Sequence, residues 1–239
     1  PHRHHSGRSE YTHPLPDDLW SGCDSLSSYV FPEMEAARKD DLAEFDKLLW
    51  GHIGFSINRG VRALTLGLTG ARLAKTPDNG PLSDYYRQIE RMSAALAFSS
   101  DVTMGVLGGQ LKFKERLSAR LGDVLSHLYM ASAVLKYAKD NGESAEDVAH
   151  ARWALDDSFR EINDSFELFF DNFPTPFVGG FLKRMCFPLG RSYKHPSDNL
   201  SSELSEMMMD ETQLRERFRM ITYIGKDPSD VTGRLAFAY

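Results

Sequence analysis

The sequence predicts an all-α protein, an antiparallel helical bundle with an irregular segment rich in Pro, Gly and aromatic residues near 174–196. Three observations predict it. Apolar residues recur at intervals of three and four over long stretches, the period that places them on one face of an α-helix. No segment alternates polar and apolar residues as strands do, and no repeat of fixed period appears. Clusters of turn formers divide the helical stretches into lengths that fold back on one another.

The helical texture begins at Tyr29. Met34, Leu42, Phe45, Leu48 and Leu49 fall on one side of a first amphipathic element, with Glu33, Arg38, Lys39, Asp40 and Lys47 available for the other. Ile53 to Leu73 is apolar but carries Gly54, Gly60, Gly67 and Gly70, so it is either a helix with close-packed faces or a broken one. Thr76-Pro77-Asp78-Asn79-Gly80-Pro81 is a loop, after which Ser83 or Asp84 is placed to cap the next helix. Tyr85, Ile89, Met92 and Leu96 form an inward stripe that continues weakly through Val102 and Val106. Beyond the glycines at 105, 108 and 109, Leu117, Leu121, Val124, Leu128, Ala131 and Leu135 resume it until Asp140-Asn141-Gly142, in one long helix or a helix pair. Ser144, followed by Glu146 and Asp147, opens a helix whose stripe of Val148, Leu155, Phe159, Ile162, Phe166 and Phe170 runs to Pro174, about seven turns. Residues 174–196 form short helical turns at most. Ser197-Asp198 then caps a helix through Met209, and Glu211 to Ile224 forms a last one, ended by Asp227-Pro228.

The 239 residues, 41% hydrophobic and 26% charged, are ample for a buried core and exclude wholesale disorder. A net charge of -6 argues against broad nucleic-acid binding, because a phosphate-tracking surface needs excess Lys and Arg. Two cysteines, Cys23 and Cys186, give neither a disulfide framework nor a metal knuckle, which points to a reduced, intracellular setting. There is no apolar run of the roughly 18 residues a membrane span needs, and no recognisable signal peptide.

Each candidate chemical feature competes with a plainer explanation. His2, His4, His5 and His13 crowd together as metal ligands do, but no carboxylate or thiolate completes a known spacing, and an accidental tract is preferred. Gly105-Val106-Leu107-Gly108-Gly109 is glycine-rich like a phosphate loop, yet it follows no strand and lacks the Lys-Ser/Thr pair, so close helix packing is preferred. Lys112, Lys114, Arg116 and Arg120 make a basic face that could meet acidic lipid or a coenzyme A phosphate; Glu115 and Asp123 dilute it to an ordinary solvated face. Glu33, Glu35, Asp40 and Asp41 fit solvated helix surface. Met207-Met208-Met209 suits core filling better than an adaptable contact surface. No nucleophile elbow is present. The residues alone therefore assemble no active site, and none is assigned a catalytic, cofactor-binding or metal-ligating role.

Longer strings carry more. LKFKERLSARLGDVLSHLYMASAVLKYAKDNG, FFDNFP, FPLGRSYKHPSDNL and DPSDVTGRLAFAY closely resemble the C-terminal region of the large bacterial acyl-CoA dehydrogenases, the FadE type. YVFPEMEAARKDDLAEFDKLLWGHIGF, LGLTGARLAKTP and SDYYRQIERMSAALAFSSDVTMGVLGGQLK are similar to the segment joining their catalytic and C-terminal domains. These matches cover 29–239 in order. The resemblance implies a flavoenzyme of fatty-acid β-oxidation. In such an enzyme a glutamate removes the α-proton of a fatty acyl-CoA while the β-hydrogen leaves as hydride to N5 of FAD, giving a trans-2-enoyl-CoA. It also implies an electron-transfer flavoprotein as acceptor, no nucleic-acid partner and a cytoplasmic location, with peripheral inner-membrane contact and homo-oligomerisation left open. The chain stops short of the family's usual C-terminus, just after GRLAFAY. On this reading it is a C-terminal fragment, and by itself not competent for catalysis. The competing class is a non-catalytic helical module for membrane or protein contact, drawing on the basic face and on the aromatic-rich stretch Phe169 to Phe187.

Residues 1–28 break from this pattern. They hold four of the eight histidines and three prolines but no Ala, Val, Ile, Met, Phe or Lys, and the chain opens on Pro1. The family's catalytic base lies in a string like ITVEG, followed by one like IFGQGA, just before the position matching Tyr29. Back-translating His4 to Arg8 as CAT CAC AGT GGA AGG and starting one base later reads I-T-V-E-G. Similar treatment of Thr12 to Ser28 yields L-T-R-C-L-M-I-F-G-Q-G-A-I-R-C-H. Codon degeneracy allows choices here, but Trp20 has a single codon. The expectation is that 1–28 is an out-of-frame remnant of the active-site segment, with a one-base deletion near Ser28-Tyr29; a divergent linker is the alternative.

Overall fold

In the computed structural model, residues 31–237 are described, apart from 40, 78, 191, 192, 194, 211, 224, 226 and 228. The expectation for residues 1–28 lies outside them. Among the described residues there is no strand, and the all-α bundle holds.

The first two helices are α1 (Phe31–Arg38) and α2 (Leu42–Leu68). Sequence periodicity joins Met34 to Leu49 in one element, but the chain breaks between them. The Asp41 carboxylate accepts from the Glu44 N–H at 3.1 Å, satisfying one of the donors a new helix leaves open. α2 then continues unbroken through its glycines, which settles the choice for 53–68 in favour of a close-packed helix. A Cβ on Gly60 would lie 2.8 Å from the Phe98 ring, and one on Gly67 would lie 2.7 Å from Pro188 Cδ. The helix stops at Leu68, short of Leu73, because Gly70 and Ala71 take positive φ.

Next, α3 (Ser83–Leu107), a short 3₁₀ helix (Gly108–Phe113) and α4 (Glu115–Asp140) form a helix pair. Neither Ser83 nor Asp84 caps α3; the cap position is Leu82, which is buried beneath the helix. The glycines at the α3 end were expected to serve close packing, and they do not. A Cβ on Gly105, Gly108 or Gly109 meets nothing within 4 Å. What ends α3 is the positive φ of Gly108, whose N–H bonds back to the Met104 carbonyl.

α4 ends at Asn141 and Gly142, the latter at φ +86°, and Ser144 opens α5 (Ala145–Asp171), as the sequence indicates. The Ser144 hydroxyl accepts from the Asp147 N–H at 3.1 Å. So short a connection forces the two helices antiparallel, and they pack along their length. Val124, Leu128, Ala131 and Leu135 of α4 meet Leu155, Phe159, Ile162 and Phe166 of α5 in one core with Ile89 and Met92 of α3.

Residues 174–196 hold more structure than short turns: α6 (Pro176–Cys186) is a full helix. Pro176 sits at its first turn, where a missing N–H costs nothing, and Gly179 lets it lie against α5. A Cβ there would lie 2.3 Å from the Phe170 carbonyl oxygen. Phe187 packs edge-on to Phe166 and Phe170, at ring distances of 5.3 and 5.9 Å.

The chain continues in α7 (Asp198–Met209), α8 (Gln213–Ile221) and α9 (Val231–Phe237). Ser197 caps α7 through the Leu200 N–H, and Thr212 caps α8 through the Arg215 N–H. α8 is thus shorter than the expected Glu211 to Ile224. α9 was not anticipated; Asp230 initiates it by accepting from the Thr232 and Gly233 N–H groups. Leu204 is the buried residue of α7, whereas Met209 is exposed and Met207 and Met208 only half-buried, so core filling by the methionine run is not observed.

Candidate functional site

Among the described residues, buried polar side chains meet partners on other elements at the following places. Between α2 and α3, the Arg59 guanidinium donates to the Asp101 carboxylate at 2.8 Å, with side-chain exposures of 8% and 3%. The Arg59 guanidinium also lies 4.2 Å from the Phe55 ring centroid. Two charges removed from water persist only when paired, and this pair fixes the rotation and height of α2 on α3.

Where Phe187 and Tyr193 lie against α3 and α5, Tyr85 donates its hydroxyl to Asp156 at 2.8 Å. Tyr193 stacks on Phe159 at 4.8 Å, and Phe159 stacks in turn near Tyr85. Burial pushes both tyrosine hydroxyls well above their ordinary range, and burial likewise raises Asp156, although the Tyr85 hydrogen bond opposes that rise. The buried Arg91 guanidinium lies 5.4 Å over the Phe187 ring, and desolvation lowers its pKa. Beside it, Cys186 lies 3.7 Å from the Ser99 hydroxyl, and burial pushes its thiol up to about 12. A thiol held protonated is no nucleophile, and Tyr85 and Asp156 have no third group aligned for proton relay. These residues seat the irregular segment on the bundle.

At the α4–α5 turn, Arg217 of α8 pairs with buried Asp147, which also accepts from the Ser144 hydroxyl at 2.7 Å. The Arg217 guanidinium lies 5.6 Å from the Tyr137 ring, and Phe218 stacks on that ring at 6.4 Å. Arg217 thus ties α8 to the bundle, as the Trp153 indole N–H, donating to the Ser201 hydroxyl at 3.0 Å, ties α7.

Sequence reasoning passed over all three sites. A faint signal existed in Arg59 beside Gly60 within an apolar run, and in Asp101 on the α3 stripe; nothing local marks Tyr85, Asp156 or Arg217 as partnered.

The features the sequence did single out are scattered. Lys112, Lys114 and Arg116 are exposed on the 3₁₀ helix and the start of α4, Arg120 is half-buried, and the Lys112 ammonium lies 4.9 Å from the exposed ring of Phe113. Glu35 is exposed and pairs with Lys39 at 2.6 Å, so it is surface as expected; Asp41 is a helix cap, as above. The Glu33 side chain, Asp40, Cys23 and the four N-terminal histidines lie outside what is described. The aromatic stretch divides: Phe169, Phe170 and Phe173 are core, while Phe177 and Phe181 are exposed. Among the described residues no three His, Cys, Asp or Glu side chains stand together for a metal ion, and no helix is long and apolar enough to cross a membrane.

A flavin would require a free aromatic or apolar slot and uncommitted donors for its pyrophosphate. Here the buried rings of Phe159, Phe166, Phe169 and Phe170 are stacked on one another or on neighbouring aromatics, Arg59 is committed to Asp101, and Arg91 is covered by Phe187. The glycine-rich turn at 105–109 ends a helix instead of opening one. The described residues do not form a flavin seat.

The family model described as "Acyl-CoA dehydrogenase, C-terminal, bacterial type" matches residues 28–239. No solved structure matches the chain.

Proposed function

Since this chain belongs to the bacterial-type acyl-CoA dehydrogenase C-terminal family, we propose that it is the C-terminal portion of an FAD-dependent enzyme that oxidises fatty acyl-CoA to trans-2-enoyl-CoA in β-oxidation. An electron-transfer flavoprotein is its acceptor on this reading. The observation that carries it is the family match over 28–239, which agrees with the ordered strings from Tyr29 to Tyr239. Flavin and thioester are held by the part of the enzyme that precedes Tyr29, and residues 29–239 contribute a helical domain with no reacting group of their own. Residues 1–28 are the out-of-frame remnant of the active-site segment.

Two experiments test it. The purified chain, mixed with FAD and palmitoyl-CoA, is expected to stay colourless after desalting and to reduce no electron acceptor; turnover by this chain alone overturns the division. Independent DNA reads across the Ser28-Tyr29 junction are expected to show the lost base; an intact TCC-TAT junction sinks the frameshift.

A second reading, peripheral contact with an acidic membrane, is favoured by one observation: Phe113 stands exposed between Lys112 and Lys114. The core position of Phe169, Phe170 and Phe173 removes half of the six aromatic residues that reading first drew on. Co-sedimentation with anionic vesicles, lost on Phe113→Asp, is the outcome that sustains it.

A further inference from the structure

The sequence contains two Asn-Gly pairs, and each stands in the same triplet, Asp78-Asn79-Gly80 and Asp140-Asn141-Gly142. Asn-Gly is the pair that loses its side-chain amide most readily without an enzyme, because glycine has no Cβ to shield its nitrogen from the preceding side chain. The glycine nitrogen attacks Cγ of the asparagine and the Cγ–Nδ2 bond breaks, so that ammonia leaves and a five-membered succinimide remains. Water then opens one of the two imide C–N bonds, giving aspartate or isoaspartate. No oxidant, reductant or co-reactant other than water is needed. Identical triplets give the amino-acid order no preference between the two sites, whereas the fold separates them.

Asn141 ends α4, and both groups that would have to meet are engaged there. Its side-chain amide donates to the Tyr137 carbonyl at 2.8 Å, and the Gly142 N–H donates to the Lys139 carbonyl at 3.1 Å. The Glu143 N–H then bonds back to the Ala138 carbonyl at 3.0 Å, with Gly142 at φ +86° between them. Attack on Cγ of Asn141 therefore requires the last turn of α4 to open. Asn79 lies in the connection between α2 and α3, outside any helix; it is exposed, and its amide bonds to no other described residue. Ala74 and Leu82, 7% and 0% exposed, anchor that connection on either side, so the side chain can turn onto the next nitrogen by motion of loop residues alone. We propose that Asn79 is a self-modification site: in the folded chain it passes through the succinimide to isoaspartate and aspartate, while Asn141 keeps its amide. The product adds a carboxylate to a connection that carries the exposed cations Arg72 and Lys75, and the isoaspartate form also inserts a methylene into the backbone.

Trypsin separates the two sites cleanly. It cuts after Lys75 and Arg87 and after Lys139 and Arg152, so peptides 76–87 and 140–152 each carry one asparagine and no glutamine. The whole chain is held in warm, mildly alkaline buffer, either native or in concentrated guanidinium chloride, and both peptides are followed by mass. In the native chain, 76–87 is expected to exchange its amide nitrogen for oxygen at least about tenfold faster than 140–152, since two hydrogen bonds must break before Asn141 can react. In the denatured chain that advantage is expected to vanish. Methyl transfer from S-adenosylmethionine by an isoaspartyl carboxyl methyltransferase is expected to label 76–87, the mark of the cyclic route, and Asn79→Gln is expected to abolish both the mass change and the label. Equal rates in the native chain overturn the proposal. So does an Asn79 that keeps its amide while the denatured control loses it, or aspartate formed with no isoaspartate.

Discussion

α2 and α5 are each 27 residues long, and each begins at a side-chain cap. Yet α5 buries twelve residues distributed from Asp147 to Phe170, whereas α2 buries five, all from Arg59 onward. The difference lies in what stands opposite. α5 has α4 alongside for its whole length and α6 across its end. α2 meets α3 and α6 through its C-terminal half, from Ser56 onward, and there it relies on close approach at Gly60 and Gly67 and on the Arg59–Asp101 pair. Equal length thus gives one helix that is part of the core and another that is only anchored to it, although the anchored one, α2, is the more apolar.

That contrast can be tested by substitution, beginning where the effect is greatest. Phe159→Ala in α5 empties a fully buried site between Tyr85 and Tyr193 and should cost about 4 kcal/mol in urea unfolding; a loss under about 1 kcal/mol would remove α5 from the centre of the core. Asp101→Ala strands the buried Arg59 charge and should cost about 3 kcal/mol, with much of it recovered in the double variant Arg59→Met/Asp101→Leu. If the double variant is no better than the single, the pair is not what anchors α2. Gly67→Ala places a Cβ 2.7 Å from Pro188 Cδ and 3.0 Å from the Cys186 carbonyl, and about 2 kcal/mol is expected from the same melts.

Smaller effects complete the series. The carboxyl of Asp156 on α5 is raised above its ordinary 3.8 chiefly by burial, so the folded chain holds a proton more tightly than the unfolded one. Its contribution therefore makes the fold more stable as pH falls through the window between 3.8 and the raised value, and less stable as pH rises through it. Comparing the pH dependence of stability in wild type and Asp156→Asn isolates this slope, and a slope of opposite sign in the difference contradicts the burial assignment. Least of all, Trp50→Ala on the exposed first half of α2 should change stability by no more than about 0.5 kcal/mol in the same melts.

The same contrast explains what could be read from the amino-acid order. The opening of α5 at Ser144, its stripe from Val148 to Phe170 and the stop at Asn141-Gly142 are legible because a cap, a period and a left-handed residue are local codes. Periodicity also reveals that α2 is apolar, but an apolar face does not announce whether a neighbour covers it, and so Leu42, on the apolar side of the first element, stands in solvent. Asp41 reads as solvated surface and is exposed, yet it also divides α1 from α2; that role shows only in the turn of its side chain back to Glu44. The glycines at 105–109 suggested close packing and instead provide a backbone conformation. α6 was hidden by its own Pro and Gly content, since Gly179 reads as a helix breaker unless the Phe170 carbonyl beneath it is known. The polar anchors Arg59–Asp101, Tyr85–Asp156 and Asp147–Arg217 join residues 42, 71 and 70 positions apart, a span at which no local pattern exists. The family was legible through long ordered strings and not through any constellation of reactive groups.

Cys186, set between α3 and α6 with its thiol raised to about 12, has one practical consequence. In a chain carrying Cys23→Ser, a thiol reagent can reach sulfur only when α6 lifts from α3 and the proton becomes labile, so labelling kinetics serve as a built-in clock for opening. Run beside global unfolding, that clock tells whether the α6 strap detaches on its own or leaves only when the whole bundle does.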